Sequence, residues 1–211
     1  MKRYRYMAGG ALCNVCQNGV SMRFICIRHG KTAGNLKGAY VGRTDEALCE
    51  QGREALLQRT YPPVEAVFAS PMLRCRQTAE IAYPSQQATL IPELRECDFG
   101  RFEGKTWQEL SGDADYQAWI DSGGLGAFPE GESHEAFIAR CCAGFQNVYR
   151  QCETQRIQTV ALVVHGGTVM ALMDAWSDPH KGYFDWQIKN GEYLTVDCER
   201  TEEGTFRLRL V

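Results

Sequence analysis

Two histidines, each followed by glycine and each standing at the end of an apolar run, are the residues best suited to chemistry. Arg28-His29-Gly30 follows the run 24–27, and His165-Gly166-Gly167 follows the β-branched run 159–164. A third apolar run, 64–69, ends in Ser70-Pro71, with Arg74 one helical turn further on. If the three runs are neighbouring strands, two histidines and two arginines converge on one rim. Such a cluster suits a phosphoryl group, because guanidinium forks match its oxygens and a neutral imidazole nitrogen is a competent nucleophile. His29 is the predicted nucleophile. Arg28 and Arg74 are expected to depress its pKa, and a backbone carbonyl is expected to fix its tautomer. Gly166, at the start of a helix, adds a backbone donor.

The elements that must position these residues can be read from periodicity and punctuation. Short apolar runs at 24–27, 64–69 and 159–164 read as buried strands, with shorter ones at 89–91, 193–198 and 206–210. Helices are predicted at 50–59, at 71–83 behind a Ser70 cap with Pro71 in the first turn, over much of 106–122, from Ser133 to about residue 153, and from Thr168 onward. Strands alternating with helices predict an α/β three-layer sandwich around a mostly parallel sheet, with the ligand at the carboxyl ends of the strands.

Composition narrows the classes. The chain has 211 residues, 44% hydrophobic and 23% charged, at a formal net charge of −3. One domain with a large core is expected, and no global basic field recruits nucleic acid or an anionic membrane. No apolar run approaches the roughly 18 residues of a membrane span. The N-terminal apolar stretch is short and broken by two glycines, which argues against export, so a cytoplasmic location is predicted. Residues 1–21 are read as an extension, poorly ordered or a misassigned start, and 22–211 as the domain. The ten cysteines are read as reduced thiols, Cys141, Cys142 and Cys152 packing as small apolar side chains in one helical stripe. Cys13 and Cys16 have ligand spacing but lack a second pair, so no metal is assigned.

Read together, Arg28-His29-Gly30-Lys31-Thr32-Ala33-Gly34-Asn35, Gly42-Arg43-Thr44-Asp45, Ser70-Pro71-Met72-Leu73-Arg74-Cys75-Arg76-Gln77-Thr78-Ala79, Leu94-Arg95-Glu96-Cys97-Asp98-Phe99-Gly100 and Val163-Val164-His165-Gly166-Gly167 resemble the motif blocks of the histidine phosphatase superfamily, also called phosphoglycerate mutase-like, over residues 22–211. The resemblance implies a phosphohistidine on His29, Glu96 as the acid and base, and Arg28, Thr32, Asn35, Arg74, His165 and Gly166 around the phosphoryl group. Arg74 rather than Arg76 takes the ligand position. No cofactor or metal is implied. The expected partner is a small phosphorylated metabolite, and the expected assembly is a monomer or homodimer.

Glu103 is the alternative acid. His134 and His180 are read as structural or exposed, and Trp107, Trp119 and Trp186 as core or pocket wall. Mutases of the family carry Arg directly after the acid/base Glu, where this chain has Cys97. A hydrolase is therefore expected before a phosphoglycerate mutase. Gly131-Glu132-Ser133 and the segments 183–186 and 190–192 are similar to bacterial α-ribazole phosphatases of cobalamin nucleotide-loop assembly; a broad-specificity sugar-phosphate phosphatase is the other reading.

Overall fold

The computed structural model describes residues 21–211. Except for Ser21, the segment read as an extension lies outside the described residues, and so do Cys13 and Cys16. Six strands form one sheet: β1 (Met22–Arg28), β2 (Ala66–Ala69), β3 (Thr89–Leu90), β4 (Thr159–Val164), β5 (Tyr193–Arg200) and β6 (Phe206–Leu210), in the order β3-β2-β4-β1-β5-β6. Neighbours from β3 to β1 are parallel, and β5 runs antiparallel to both β1 and β6. The expected mostly parallel sheet is what forms, with antiparallel pairing at one side.

Alternation along the central strands builds two cores. Phe24, Cys26, Leu162 and Val164 face helices α5 (His134–Gln155) and α6 (Gly166–Trp176), where Phe137, Cys141, Phe145 and Leu172 complete the larger core. Ile25, Ile27, Val67 and Val163 face α3 (Leu73–Ala82), with α2 (Glu50–Leu57) packed beside it. Strands covered on both faces read as continuous apolar runs, which is why the sequence locates them well. The remaining helices are α1 (Ala33–Lys37) and α4 (Ala114–Asp121).

Two helical expectations need correction. The helix expected over 71–83 starts at Leu73, because Ser70 is not its cap: the Ser70 hydroxyl lies against His165, and the Leu73 amide is met by Asp45 Oδ1 at 2.6 Å. The helical region expected over 106–122 is a turn closed by reciprocal Thr106–Glu109 bonds, then a restart at the Asp113 cap. Gly112 at φ +88° separates the two, a conformation costly to a residue with a Cβ. The eight cysteines among the described residues are free, and Cys141 and Cys152 are buried. No helix among these residues is long and apolar enough to cross a membrane.

Candidate active site

The floor of the site continues the sheet. The His29 amide donates to the Val164 carbonyl at 2.9 Å and the Ser70 amide to Val163 at 3.0 Å, so three strand ends deliver His29, Ser70 and His165 to one rim. His29 is 4% exposed. Its Nδ1–H donates to the Gly30 carbonyl at 2.7 Å, which fixes the tautomer and leaves the Nε2 lone pair free to attack. The pKa of His29 is held well below its ordinary value, by burial first and by Arg74 next, with a smaller push from Arg28 and the Gly30 bond opposing. The arginines act as expected, but burial is the larger cause.

Arg74 and His165, both fully buried, lie behind His29 rather than on the open wall of the pocket. Arg74 donates NH1 to the Thr44 carbonyl (2.7 Å), NH2 to those of Gly42 (2.9 Å) and Val41 (3.4 Å), and Nε to His165 Nδ1 (3.3 Å). Of its five N–H groups, one is left for a ligand. Because His165 Nδ1 accepts, its Nε2–H donates to Ser70 Oγ at 2.8 Å, and the ring is a neutral spacer. Burial, then Arg74, hold its pKa well down. The two imidazoles meet edge to face, centroids 5.2 Å apart. The sequence reading treats Arg74 and His165 as ligands; the structure gives both prior partners in the protein.

The pocket above His29 has a volume of about 290 Å³. Arg28, Asn35, Glu96 and Gly166 line it near His29. Arg28 is anchored by NH1 to the Ile188 carbonyl at 2.7 Å, while its Nε is buried without a partner among the described residues. A Cβ on Gly166 would sit 3.2 Å from the Arg28 Cζ, so glycine lets the guanidinium lie against the start of α6. The Asn35 Oδ1 accepts from the Thr32 amide (3.2 Å) and from Asn190 Nδ2 (3.1 Å), which turns the Asn35 NH₂ away from both. Thr32 is not on the pocket wall: it is buried, donates its hydroxyl to Glu46 at 2.5 Å and accepts from the Asn35 amide, capping α1. It orients Asn35 instead of meeting a ligand.

Glu96 takes the Cys97 amide on Oε1 (3.0 Å) and the Gly167 amide on Oε2 (3.2 Å). Burial raises its pKa against the pull of these two amides and of Arg74 and Arg28, favouring the protonated form. Glu103 is outside the pocket: its Oε1 accepts from the Gly42 and Thr44 amides (2.9 Å each) and the Thr44 hydroxyl (2.7 Å), tying down the loop whose carbonyls hold Arg74.

Away from His29 the wall is aromatic, with Tyr40, Phe99, Trp119, Phe128, Tyr183 and Phe184. His134 also lines it, edge-on to Tyr183 at 4.6 Å, whereas His180 is exposed and outside. Trp119 is wall and Trp186 core, as read; Trp107, at 60% exposure, is neither. Sequence reasoning missed the structural parts of Ser70 and Asn190. Asn190 donates to the His29 carbonyl at 3.1 Å, and its signal was the Asn-Gly turn: Gly191, at φ +76°, donates to the Arg28 and His29 carbonyls. Among the described residues no group of three or more His, Cys, Asp or Glu side chains is arranged to hold a metal ion.

A free imidazole lone pair, an unpartnered guanidinium N–H, a helix start and a carboxyl biased toward protonation share one pocket. Together they can accept a phosphoryl group on nitrogen and protonate the departing oxygen. Known proteins point the same way. The profile of the histidine phosphatase superfamily (branch 1) matches residues 24–210. The adenosylcobalamin/alpha-ribazole phosphatase of Escherichia coli K12 is 30% identical over 188 residues, covering 85% of this chain and 91% of that one. The 2,3-bisphosphoglycerate-dependent phosphoglycerate mutase of Bartonella henselae is 31% identical over 165 residues, covering 72% and 79%. The crystal structure of the alpha-ribazole phosphatase from Shigella flexneri shares the fold, with a TM-score of 0.71 at 24% identity over 90% of this chain and 96% of that one. The chain therefore belongs to the histidine phosphatase superfamily, whose members are phosphatases or mutases.

Proposed function

We propose that this chain is a phosphomonoester hydrolase in which His29 Nε2 attacks phosphorus in line and water then releases phosphate from the phosphohistidine. The observation that carries the reading is His29 itself: buried, neutral, with Nδ1 committed to Gly30 and Nε2 free beside the unpartnered Arg28 Nε. Arg28, the Asn35 side-chain amide and the start of α6 stabilise the phosphoryl oxygens, Arg74 adds its positive charge from behind His29, and His165 holds Arg74. Glu96 protonates the leaving oxygen and later takes a proton from water. These cationic groups and the helix start supply the positive charge, so the mechanism calls for no metal.

Hydrolysis rather than transfer back to substrate is supported by Cys97 beside Glu96 and by the makeup of the far wall, where the described residues supply no lysine and no arginine beyond Arg28. A phosphoglycerate carboxylate would need a cation there. The aromatic wall instead suits a small phosphorylated metabolite with a flat apolar part, and α-ribazole 5′-phosphate, a ribose phosphate bearing an aromatic base, is the substrate we favour. Rapid-quench trapping tests the nucleophile: an acid-labile, base-stable phosphoenzyme should form in the wild type and vanish in a folded His29→Ala variant. A phosphomonoester panel containing α-ribazole phosphate, sugar phosphates and 3-phosphoglycerate with bisphosphoglycerate tests the rest. Isomerisation outrunning phosphate release would establish a mutase instead.

A further inference from the structure

One side chain holds three carbonyls of the segment that carries Glu96. Arg140, in the second turn of α5, donates NH1 to the carbonyls of Glu93 (2.8 Å) and Arg95 (2.9 Å) and NH2 to that of Glu96 (3.3 Å). Its other edge is gripped at two points by Glu132, Nε to Oε1 at 2.9 Å and NH2 to Oε2 at 2.6 Å. Glu132 Oε2 also accepts from the Asp98 amide at 3.4 Å, so the pair spans both sides of Glu96. The two side chains are only 22% and 17% exposed.

Leu94 and Cys97 pack this segment into the larger core, but Glu96 between them borders open space. A second cavity, of about 420 Å³, is lined by Arg43, Arg95, Glu132 and Arg140, and the one residue it shares with the catalytic pocket is Glu96. Glu96 is thus a partition between two openings. Its carboxyl bonds include the amide of Cys97 in its own segment, so the carboxyl goes where that backbone goes.

We propose that the Glu132–Arg140 pair positions Glu96 for proton transfer. The inference rests on reading Glu96 as the leaving-group acid, and the test separates the two. Proton donation matters in proportion to the basicity of the leaving oxygen: a nitrophenolate departs unaided, an alkoxide does not. kcat/KM covers only the steps through phosphoenzyme formation, so it isolates the acid role. Arg140→Lys, which replaces a planar fork by a point charge, and Glu132→Gln, which keeps an acceptor but weakens the grip, should each lower kcat/KM for an alkyl phosphate by about 10–100-fold. Each should change p-nitrophenyl phosphate by less than about threefold. Glu96→Gln should show a larger split of the same kind. If Glu96→Gln shows no split, the acid assignment falls and the inference with it. If Glu96→Gln splits the substrates while the other two variants, folded by thermal melting, lower both alike or neither, the positioning inference is overturned and the acid assignment stands.

Discussion

Replacing Glu103 by glutamine and by alanine distinguishes a carboxyl that transfers protons from one that ties down a loop. In the structure a single oxygen, Oε1, receives the Gly42 amide, the Thr44 amide and the Thr44 hydroxyl, while Oε2 is buried without a partner. Hydrogen bonds to a charged group contribute about 1.5–3 kcal/mol each. The two from Thr44 are exposed and water can replace them, so alanine should cost about 2–4 kcal/mol in all, a sizeable part of a typical domain's stability. Glutamine presents a carbonyl oxygen in the same place and puts its NH₂ where Oε2 already lacks a partner. Neutral bonds are about half as strong, so glutamine should cost about 1–2 kcal/mol. Because the tied loop supplies the Thr44, Gly42 and Val41 carbonyls to Arg74, alanine should also reduce kcat/KM, whereas glutamine should stay within about threefold of wild type. Urea denaturation and kinetics on the same preparations measure both. A glutamine variant with an unchanged urea midpoint and activity as low as that of Glu96→Gln would refute this reasoning and make Glu103 the acid.

Three further outcomes follow from the site. Since His29 and His165 are both held well below an unfolded-state value near 6.5, the unfolded chain binds more protons and stability should fall as pH drops below about 6.5, by up to roughly 1.4 kcal/mol per pH unit for each. Glu96, raised in the fold, acts in the opposite sense: it is destabilising as pH rises above an unfolded carboxyl value near 4.3, and that penalty is relieved on acidification. In urea titrations from pH 7.5 to 5.5, His29→Asn should reduce the acid-side loss by about 1.4 kcal/mol over the whole range, and an unchanged slope would contradict a neutral, buried His29. Gly42→Ala would place a Cβ 1.9 Å from the Cys97 carbonyl oxygen, backbone against backbone, and should destabilise the protein by about 2 kcal/mol or more; wild-type melting would show that the two loops are not in contact. Trp119→Ala should raise KM for esters with an aromatic leaving group by about 3–10-fold more than for small alkyl esters, and equal changes would remove Trp119 from the leaving-group wall.

What could be read from the sequence follows a physical division. β4 was legible to the residue and β1 to within two, because a strand buried on both faces leaves a dense apolar signature, and the edge strand β6 was legible to the residue from the alternation of Phe206, Leu208 and Leu210 with two arginines. His29 and Glu96 were legible because their motif blocks place them on the pocket. Ser70 was misread as a cap because its hydroxyl takes His165, 95 residues away, and on the helix side meets only the Met72 amide at 3.4 Å, one residue before α3 begins; only the fold reveals the distant partner. Thr32 shows the same limit: its motif position marks it as a ligand, but Glu46, 14 residues on, takes its hydroxyl. The turn at 106–112 escaped because a capping pair and a glycine interrupt a helical pattern without altering its composition.

The bonds from the His29 amide to Val164 and from the Ser70 amide to Val163 extend the central ladder one rung past the strands. The spacing between His29 and His165 is therefore an interstrand distance, set by β1 and β4 in the interior of the sheet rather than by any surface loop. These amides should exchange with solvent as slowly as those of the core strands, opening only with the whole domain. Catalytic turnover in denaturant then becomes a gauge of the folded population, while the loops that shape the aromatic wall remain free to vary without disturbing the spacing on which the proposed phosphoryl transfer relies.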